Sequence, residues 1–555
     1  MADASSPAPI TATSPLSIPI FRAVWIASLI SNFGGLIQSV GASWMMISLH
    51  ASPQQVALVQ ASTTLPIMLF ALVAGAIADN LDRRHVMLAA QIFMLLVSAV
   101  LALFAWMGWL TPWLLLMFTF LVGCGTALNG PAWQASVGDL VPKPMLPGAV
   151  TFNSMGFNIA RSLGPAIGGV IVAAAGAATA FFANAVSYLA LIAVLLRWRP
   201  HRPESKLPSE ALGSAMMSGI RYVAMSPGVR VILFRSLVFG LGASAVPALT
   251  ALVARDLVSG GPLTFGLLLG GFGFGAIGGA LFSIRLRARF TSEIVVRIAA
   301  IALISGTLVV AFSRLLPVTV IGMMMAGGGW VLAMSTLNVS VQMATPRWVV
   351  ARTVSIYQMT VFGAMAIGSW LVGVIAETHT TSIALVTAAA SLAVSFLLGF
   401  VIPLPKVESI DLDPRGWEAP ETALHIEPRS GPIVVTIEYR IAEDDIDRFV
   451  AAMNERRRIR RRDGARHWTL LRDLMDTELW IERYHVATWL DYVRHNQRRT
   501  HADADNSREI FGLHRGDKSP KVSRRIEWQT RGTVAAKTDI DGVVAEPLTD
   551  VSAST

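Results

Sequence analysis

The fold turns on ten residues, Gly75-Ala76-Ile77-Ala78-Asp79-Asn80-Leu81-Asp82-Arg83-Arg84. They carry four charges and separate two apolar runs, residues 56–78 and 86–107. Each run can cover a hydrocarbon core of about 30 Å as a helix. A short charged turn between two such runs is the turn of a chain that crosses a bilayer and comes back. Within it, Gly75 permits close helix packing. Asp79 sits at a membrane boundary, where an unpaired carboxylate is costly, so a neighbouring cation is expected to offset it.

Outward from this turn the pattern repeats. Twelve stretches are long and apolar enough to span: residues 21–49, 56–78, 86–107, 112–133, 146–174, 179–196, 234–253, 265–283, 295–312, 317–342, 354–376 and 383–402. The composition agrees. Of 555 residues, 53% are hydrophobic and 15% charged, against about 25% charged in ordinary soluble domains. Mean hydropathy is +0.56. The average hides a division: residues 1–402 hold 20 Lys/Arg and 9 Asp/Glu, whereas residues 403–555 hold 25 and 27. The predicted fold class is an all-α membrane protein of twelve transmembrane helices with a small soluble α+β domain behind it.

The net charge of +9 is an orientation signal, not a nucleic-acid surface. One set of alternate loops carries fourteen Lys/Arg, among them Arg83, Arg84, Lys143, Arg285 and Arg347, and the other set carries Arg255 and Arg314. That bias predicts the first set and both termini on the cytoplasmic side of a bacterial inner membrane. The expected layout is a disordered tail (1–20), helices one to six (21–196), a central loop (197–228) with an amphipathic segment at 210–225, helices seven to twelve (229–402), a linker (403–430), a soluble domain (431–530) and a disordered end (531–555). The central loop divides the helices six plus six, and an internal repeat supports it. An offset of 204 places Pro142 on Pro346, Val150 on Val354, Gly164 on Gly368 and Gly169 on Gly373; an offset of 213 places Phe21-Arg22 on Phe234-Arg235. Parallel six-helix repeats mark one large class of secondary transporters.

In the soluble part, residues 433–441 alternate as a strand. Residues 444–462 read as a helix with Ile446, Phe449, Val450 and Met453 on its apolar face. Strands follow at 466–473 and 479–486, a capping box at Thr488-Trp489-Leu490-Asp491 opens another helix through about Gln497, a further helix is expected up to Phe511, and 522–528 is a last strand. The order β-α-β-β-α-β predicts a ferredoxin-like sandwich. The densest charge is Arg456-Arg457-Arg458-Ile459-Arg460-Arg461-Arg462, either a contact for anionic lipid headgroups or a solvated helix face.

Gly75–Arg84 resembles the loop motif of the major facilitator superfamily, in which a Gly, three residues and an Asp precede a basic turn. Asn80 and Asp82 depart from that pattern, standing where a basic residue and a Gly are usual. The resemblance implies that Asp79, with Gly75, Arg83 and Arg84, belongs to a gate that latches one state of the transport cycle. In helix five, Arg161-Ser162-Leu163-Gly164-Pro165-Ala166-Ile167-Gly168-Gly169 resembles the Gly-Pro-x-x-Gly-Gly signature of exporters in that superfamily. Its glycines let backbones approach and Pro165 invites a kink. The soluble part, with Arg461-Arg462-Asp463-Gly464-Ala465, Trp468, Arg472-Asp473, Glu482 and Thr488-Trp489, is similar to the tail of the transmembrane secretion effector branch, which includes enterobactin-exporter-like proteins. Pro346-Arg347-Trp348-Val349 and the stretch from Gly363 to Trp370 resemble the same branch. The resemblance implies a secondary transporter rather than an enzyme. It implies export of a small amphipathic molecule (a siderophore, antibiotic or drug-like compound) by alternating access with proton antiport.

In this superfamily helices 1, 4, 7 and 10 line the cavity. Here those spans hold Asn32, Gln38, Trp44, Asn129, Trp133, Gln134, Trp330 and Asn338, and about half are expected to face it, because a polar amide is unfavourable against lipid. Arg161 lies inside an apolar stretch. It either faces the interior, to bind an anionic substrate or pair with Asp139, or snorkels to an interface. Arg22 and Arg235, at helix starts, read as interfacial. No Asp or Glu lies deep in a span, which leaves Asp79 and Asp139 as weak candidates for proton coupling. Cys124 is the single cysteine, and His467, His495 and His501 lack metal-ligand spacing, so no metal and no cofactor are expected. The expected partners are a small-molecule substrate, protons and membrane lipids, with self-association through the soluble domain and no nucleic acid. Two other readings stay open: an importer of the same fold, and a membrane-anchored protein whose soluble domain is the active or regulatory part.

Overall fold

The computed structural model describes residues 14–142, 145–198, 212–346, 348–405, 412, 417, 419–424, 426–516 and 519–528. Residues 1–13 of the expected N-terminal tail, 199–211 of the central loop and the whole expected C-terminal tail, within 529–555, lie outside them. The chain forms two compact units, one comprising Met1–Arg415 and Thr500–Asp503 and one comprising Gly416–Arg499 and Ala504–Thr555.

Among the described residues, the first unit contains twelve helical spans long and apolar enough to cross a membrane. The first six are α1 (Pro19–Ser48), α2 (Pro53–Asn80), α3 (Arg83–Trp106), α4 (Pro112–Leu140), α5 (Leu146–Ala175) and α6 (Ala177–Arg197). An amphipathic helix follows, α7 (Leu212–Met225). The seventh span is broken into α8 (Pro227–Ala243), α9 (Ala245–Leu252) and a wide turn over Val253–Leu257. Pro247 has no N–H for the Ala243 carbonyl, which accounts for the break. The remaining five are α10 (Pro262–Arg289), α11 (Ser292–Phe312), α12 (Leu316–Met343), α13 (Val350–Thr378) and α14 (Thr381–Val401). Local chemistry sets the turns. Ser52 and Gln55 form a reciprocal capping box at α2. Asp82 accepts from the Arg84 N–H at 2.9 Å and caps α3, a reason for an acid at that position.

Within the first half α1 packs on α5 and α6, α3 on α4 and α6, and α2 on α4; within the second, α8 packs on α13 and α14, α10 on α12, and α11 on α12 and α14. The halves meet along α2–α13 and α5–α10. The repeat is visible in the contacts. Gly164 packs on Leu36 of α1, and its counterpart Gly368 on Leu241 of α8. Gly169 reaches across the halves to Gly266 of α10, and Gly373 reaches back to Gln54 and Ala57 of α2. The ion chemistry repeats too. Arg84 donates to the Leu195 and Leu196 carbonyls at 2.8 and 2.9 Å, and Arg297 donates to the Gly399 carbonyl at 2.7 Å. Arg84 and Arg297 are separated by the 213-residue offset, and Leu195 and Gly399 by the 204-residue one. Each half thus ties the start of its third span to the end of its sixth.

Arg235 corrects an expectation. It is 2% exposed, 3.4 Å from Glu293, which also pairs with Arg297 at 2.9 Å and accepts from the Leu404 N–H at 2.9 Å. A buried guanidinium needs such a partner; Arg22, by contrast, is exposed.

The second unit is a four-stranded antiparallel sheet of order β2-β3-β1-β4. Its elements are β1 (Ile433–Arg440), α15 (Ile446–Arg462), β2 (Arg466–Arg472), β3 (Leu479–Val486), α16 (Trp489–Gln497), α17 (His501–Leu513) and β4 (Lys521–Ile526). That order is the ferredoxin-like sandwich, and α17 is the further helix expected up to Phe511. Alternate residues of β1 (Ile433, Val435, Ile437 and Tyr439) enter a core shared with Phe449, Met453 and Tyr492. The arginine run is a second correction. Arg456, Arg460 and Arg462 are buried, and Arg457 and Arg461 remain exposed. The run is therefore neither a solvated face nor, as a whole, a headgroup contact.

Candidate functional site

The seam between α5 and α10 is made of small residues. A Cβ on Gly169 would lie 2.9 Å from the Gly266 Cα and 2.9 Å from the Pro262 carbonyl, and Gly270 lies over Ser162 and Ala166. The last named contact is at Arg161, whose carbonyl would be 2.5 Å from a Cβ on Gly273. Pro165 has no N–H to give that carbonyl, and Gly273 leaves it room. Toward the basic loops, Gly275 and Gly279 of α10 turn to Met324 and Gly328 of α12, and Gly278 faces open space.

Arg161 stands where the seam ends, near mid-length of α5. Its guanidinium lies 4.2 Å from the ring centroid of Trp330, at mid-length of α12, and 5.9 Å from Phe272 of α10. A side chain of the first half therefore rests on two aromatic rings of the second. A cation over an indole face is favourable by about 0.5–2 kcal/mol, but it neutralises no charge. Among the described residues no carboxylate pairs with Arg161. The Trp330 Nε1–H beside it is buried and has no protein acceptor. Asp139, one expected partner of Arg161, instead pairs with Arg83 at 2.8 Å, and Arg83 also donates to the Ala135 carbonyl at 2.9 Å.

The remaining candidates separate. Gln38 is 4% exposed and accepts from Ser98 at 3.0 Å and from Asn184. It is spent on packing α1 against α3 and α6, which takes it out of the cavity set. Asn129 accepts from Gln91 at 3.2 Å, Trp133 donates to Asn153 at 3.0 Å, and Asn338 accepts from Gln342 at 2.8 Å. Asn32 is half-buried and Gln134 exposed. Trp44 stacks on Phe265 with centroids 6.3 Å apart. Gly75 packs toward Ser355 of α13, Gly168 packs on Ile37 and Val40, and the Asp79 side chain lies outside the described residues. Phe272 escaped the sequence reading because an aromatic in an apolar span carries no signal of its facing.

A family profile described as "transmembrane secretion effector" matches residues 10–533. Over 186 residues the chain is 33% identical to the staphyloferrin A transporter of Staphylococcus aureus, a match covering 33% of this chain and 46% of that one, less than half of the relative's length. Over 417 residues it is 24% identical to the multidrug efflux pump Tap of Mycolicibacterium fortuitum, covering 72% and 98%. The crystal structure of the nucleoside transporter NupG superposes with a TM-score of 0.57 at 14% identity, covering 69% of this chain and 98% of that one, which establishes the fold.

Proposed function

The chain belongs to the transmembrane secretion effector family, a multi-pass membrane transporter of the major facilitator type, and from that membership we propose that it exports a small amphipathic molecule carrying an anionic group. One observation carries the reading. At mid-depth, between the halves, Arg161 and Trp330 present a guanidinium and an indole N–H that the protein itself leaves unspent. Charged groups at that depth belong to substrate pathways in transporters. An anionic group would take both donors, and the faces of Trp330 and Phe272 would hold an apolar body. Two named relatives, a staphyloferrin A transporter and a multidrug efflux pump, support a small-molecule cargo, and the second supports the outward direction. The loop bias supports cytoplasmic termini in a bacterial inner membrane. Proton exchange completes the cycle in this reading, with Asp79 in the gate beside Gly75 and with Arg83, Arg84 and Asp139 bracing the same end.

Everted vesicles under a proton gradient, given labelled anionic siderophores and acidic antibiotics, test it. Wild-type vesicles should accumulate at least one. Hydrogen bonds to charged groups are worth about 1.5–3 kcal/mol, so Arg161→Gln should raise the KM for that cargo roughly tenfold to a hundredfold, with Arg161→Lys between. An unchanged KM removes the site, and accumulation only in right-side-out cells reverses the direction.

A further inference from the structure

The buried arginines of the C-terminal domain surround too little negative charge. Glu482, on the inner face of β3, is fully buried. It receives Arg460 Nε at 3.0 Å, Tyr439 Oη at 2.9 Å and Trp468 Nε1 at 3.1 Å, and Arg456 Nε stands 3.7 Å away. Burial alone would raise this carboxyl, but Arg460 and Arg456 more than offset it and hold it at about 2. It is therefore ionised and supplies one negative charge.

Against that single charge stand three guanidinium groups. Arg460 is 1% exposed. Its Nη1 donates to His495 Nε2 at 3.1 Å, and its guanidinium lies 4.5 Å from the Tyr484 ring. Its Nη2 is buried with no partner. Arg456 spends Nη1 on Ser507 at 2.7 Å. Arg499, after α16, is the half-buried third; burial first, and then the charge of Arg460, pull it down to about 10. His495 adds no charge, since burial and the same arginines hold it well below its ordinary value. Among the ion pairs of the described residues, Glu482 is the carboxylate that Arg456 and Arg460 share, so this group of guanidinium side chains carries more positive than negative charge, which is unfavourable in an interior. The excess is concentrated at one place, bounded by the inner faces of β3 and α15 and by the half-buried Arg499.

We propose that the C-terminal domain is an anion-binding module, and that Arg456, Arg460 and Arg499 take up a small molecule bearing a carboxylate or phosphate group between sheet and helices. The Arg460 Nη2 donates to it, Arg499 closes over it from the half-exposed side, and Tyr484 forms an apolar wall. The proposal is independent of the cargo and direction of transport.

Amide exchange of the full-length protein in detergent micelles, read peptide by peptide, tests it. The probes are sodium citrate and sodium phosphate, each against sodium chloride of equal ionic strength. A ligand at about ten times its Kd slows exchange through local opening about tenfold. That slowing is expected in peptides covering 456–462, 480–486 and 495–499, with citrate if the group is a carboxylate and with phosphate if it is a phosphate. Arg499→Gln should abolish it and Arg499→Lys retain part, with exchange of the 433–440 strand in the absence of anion as the check that the domain is folded. Exchange unchanged by both anions in the wild type overturns the proposal, as does equal slowing by chloride or full protection in folded Arg499→Gln.

Discussion

A single side chain can have its charge balanced or left over, and both cases occur here. Arg235 has a carboxylate partner in Glu293, which it shares with Arg297; Arg161 has none among the described residues. The difference was not legible locally, since both are lone arginines in apolar surroundings, and Trp330 lies 169 residues from Arg161 with no signal linking them. The burial of Arg456 and Arg460 had a local signal that the expectation of a solvated or headgroup-facing run passed over. They continue the stripe of Phe449, Ala452 and Met453 on the apolar face of α15, and the density of the arginine run obscured that spacing. Their cluster makes the C-terminal domain sensitive to acid. The folded His495 and Glu482 are depressed from ordinary values of 6.5 and 4.5, so each binds fewer protons folded than unfolded. Their stabilisation is complete above about pH 6.5 and is lost first as an unfolded His495 would charge, by up to about 1.4 kcal/mol per pH unit. A second loss begins below about pH 4.5 and runs toward pH 2 as an unfolded Glu482 is neutralised. Amide exchange of strands β1 and β3 against pH, corrected for intrinsic rates, should show both steps, and His495→Gln should remove only the first.

At the scale of elements, the decisive quantity is how closely two helices approach. Glycine spacing in α5 made a tight contact legible; which helix it meets was not, because α1 and α10 take different glycines of the same motif. Gly169→Ala places a methyl against Gly266 backbone, where neither side can give. It should force α5 and α10 apart and lower the transport rate at least about tenfold, a cost of about 1.4 kcal/mol or more. Gly278→Ala in α10 meets open space and should leave the rate unchanged. Initial-rate assays on vesicles matched for protein content check both, and equal rates in the two variants would sink the argument. The capping residues were legible in part: Thr488 was read as a cap, whereas Asp82 was read as a departure from a motif although it caps α3.

In the whole molecule, the twelve spans and the six-plus-six division follow from hydropathy, because lipid permits few alternatives. What hydropathy leaves undetermined is helix rotation, which is why Gln38 and Trp330 look alike in the sequence and differ in the bundle. The C-terminal domain has its own core, so ending the chain after Arg415 should preserve transport in vesicles. Ending it before Leu404 removes the backbone N–H that Glu293 accepts from, and should lower the yield of folded protein on size-exclusion chromatography. The paired arginine bonds also bear on biogenesis. Arg84 is made 111 residues before the carbonyl it needs, and Arg297 102 residues before its own. At about 5–20 residues per second, translation leaves each guanidinium waiting roughly 5–20 s. Each half gains the tie between its third and sixth helices only once its sixth helix has been made, so the two ties form one after the other during synthesis.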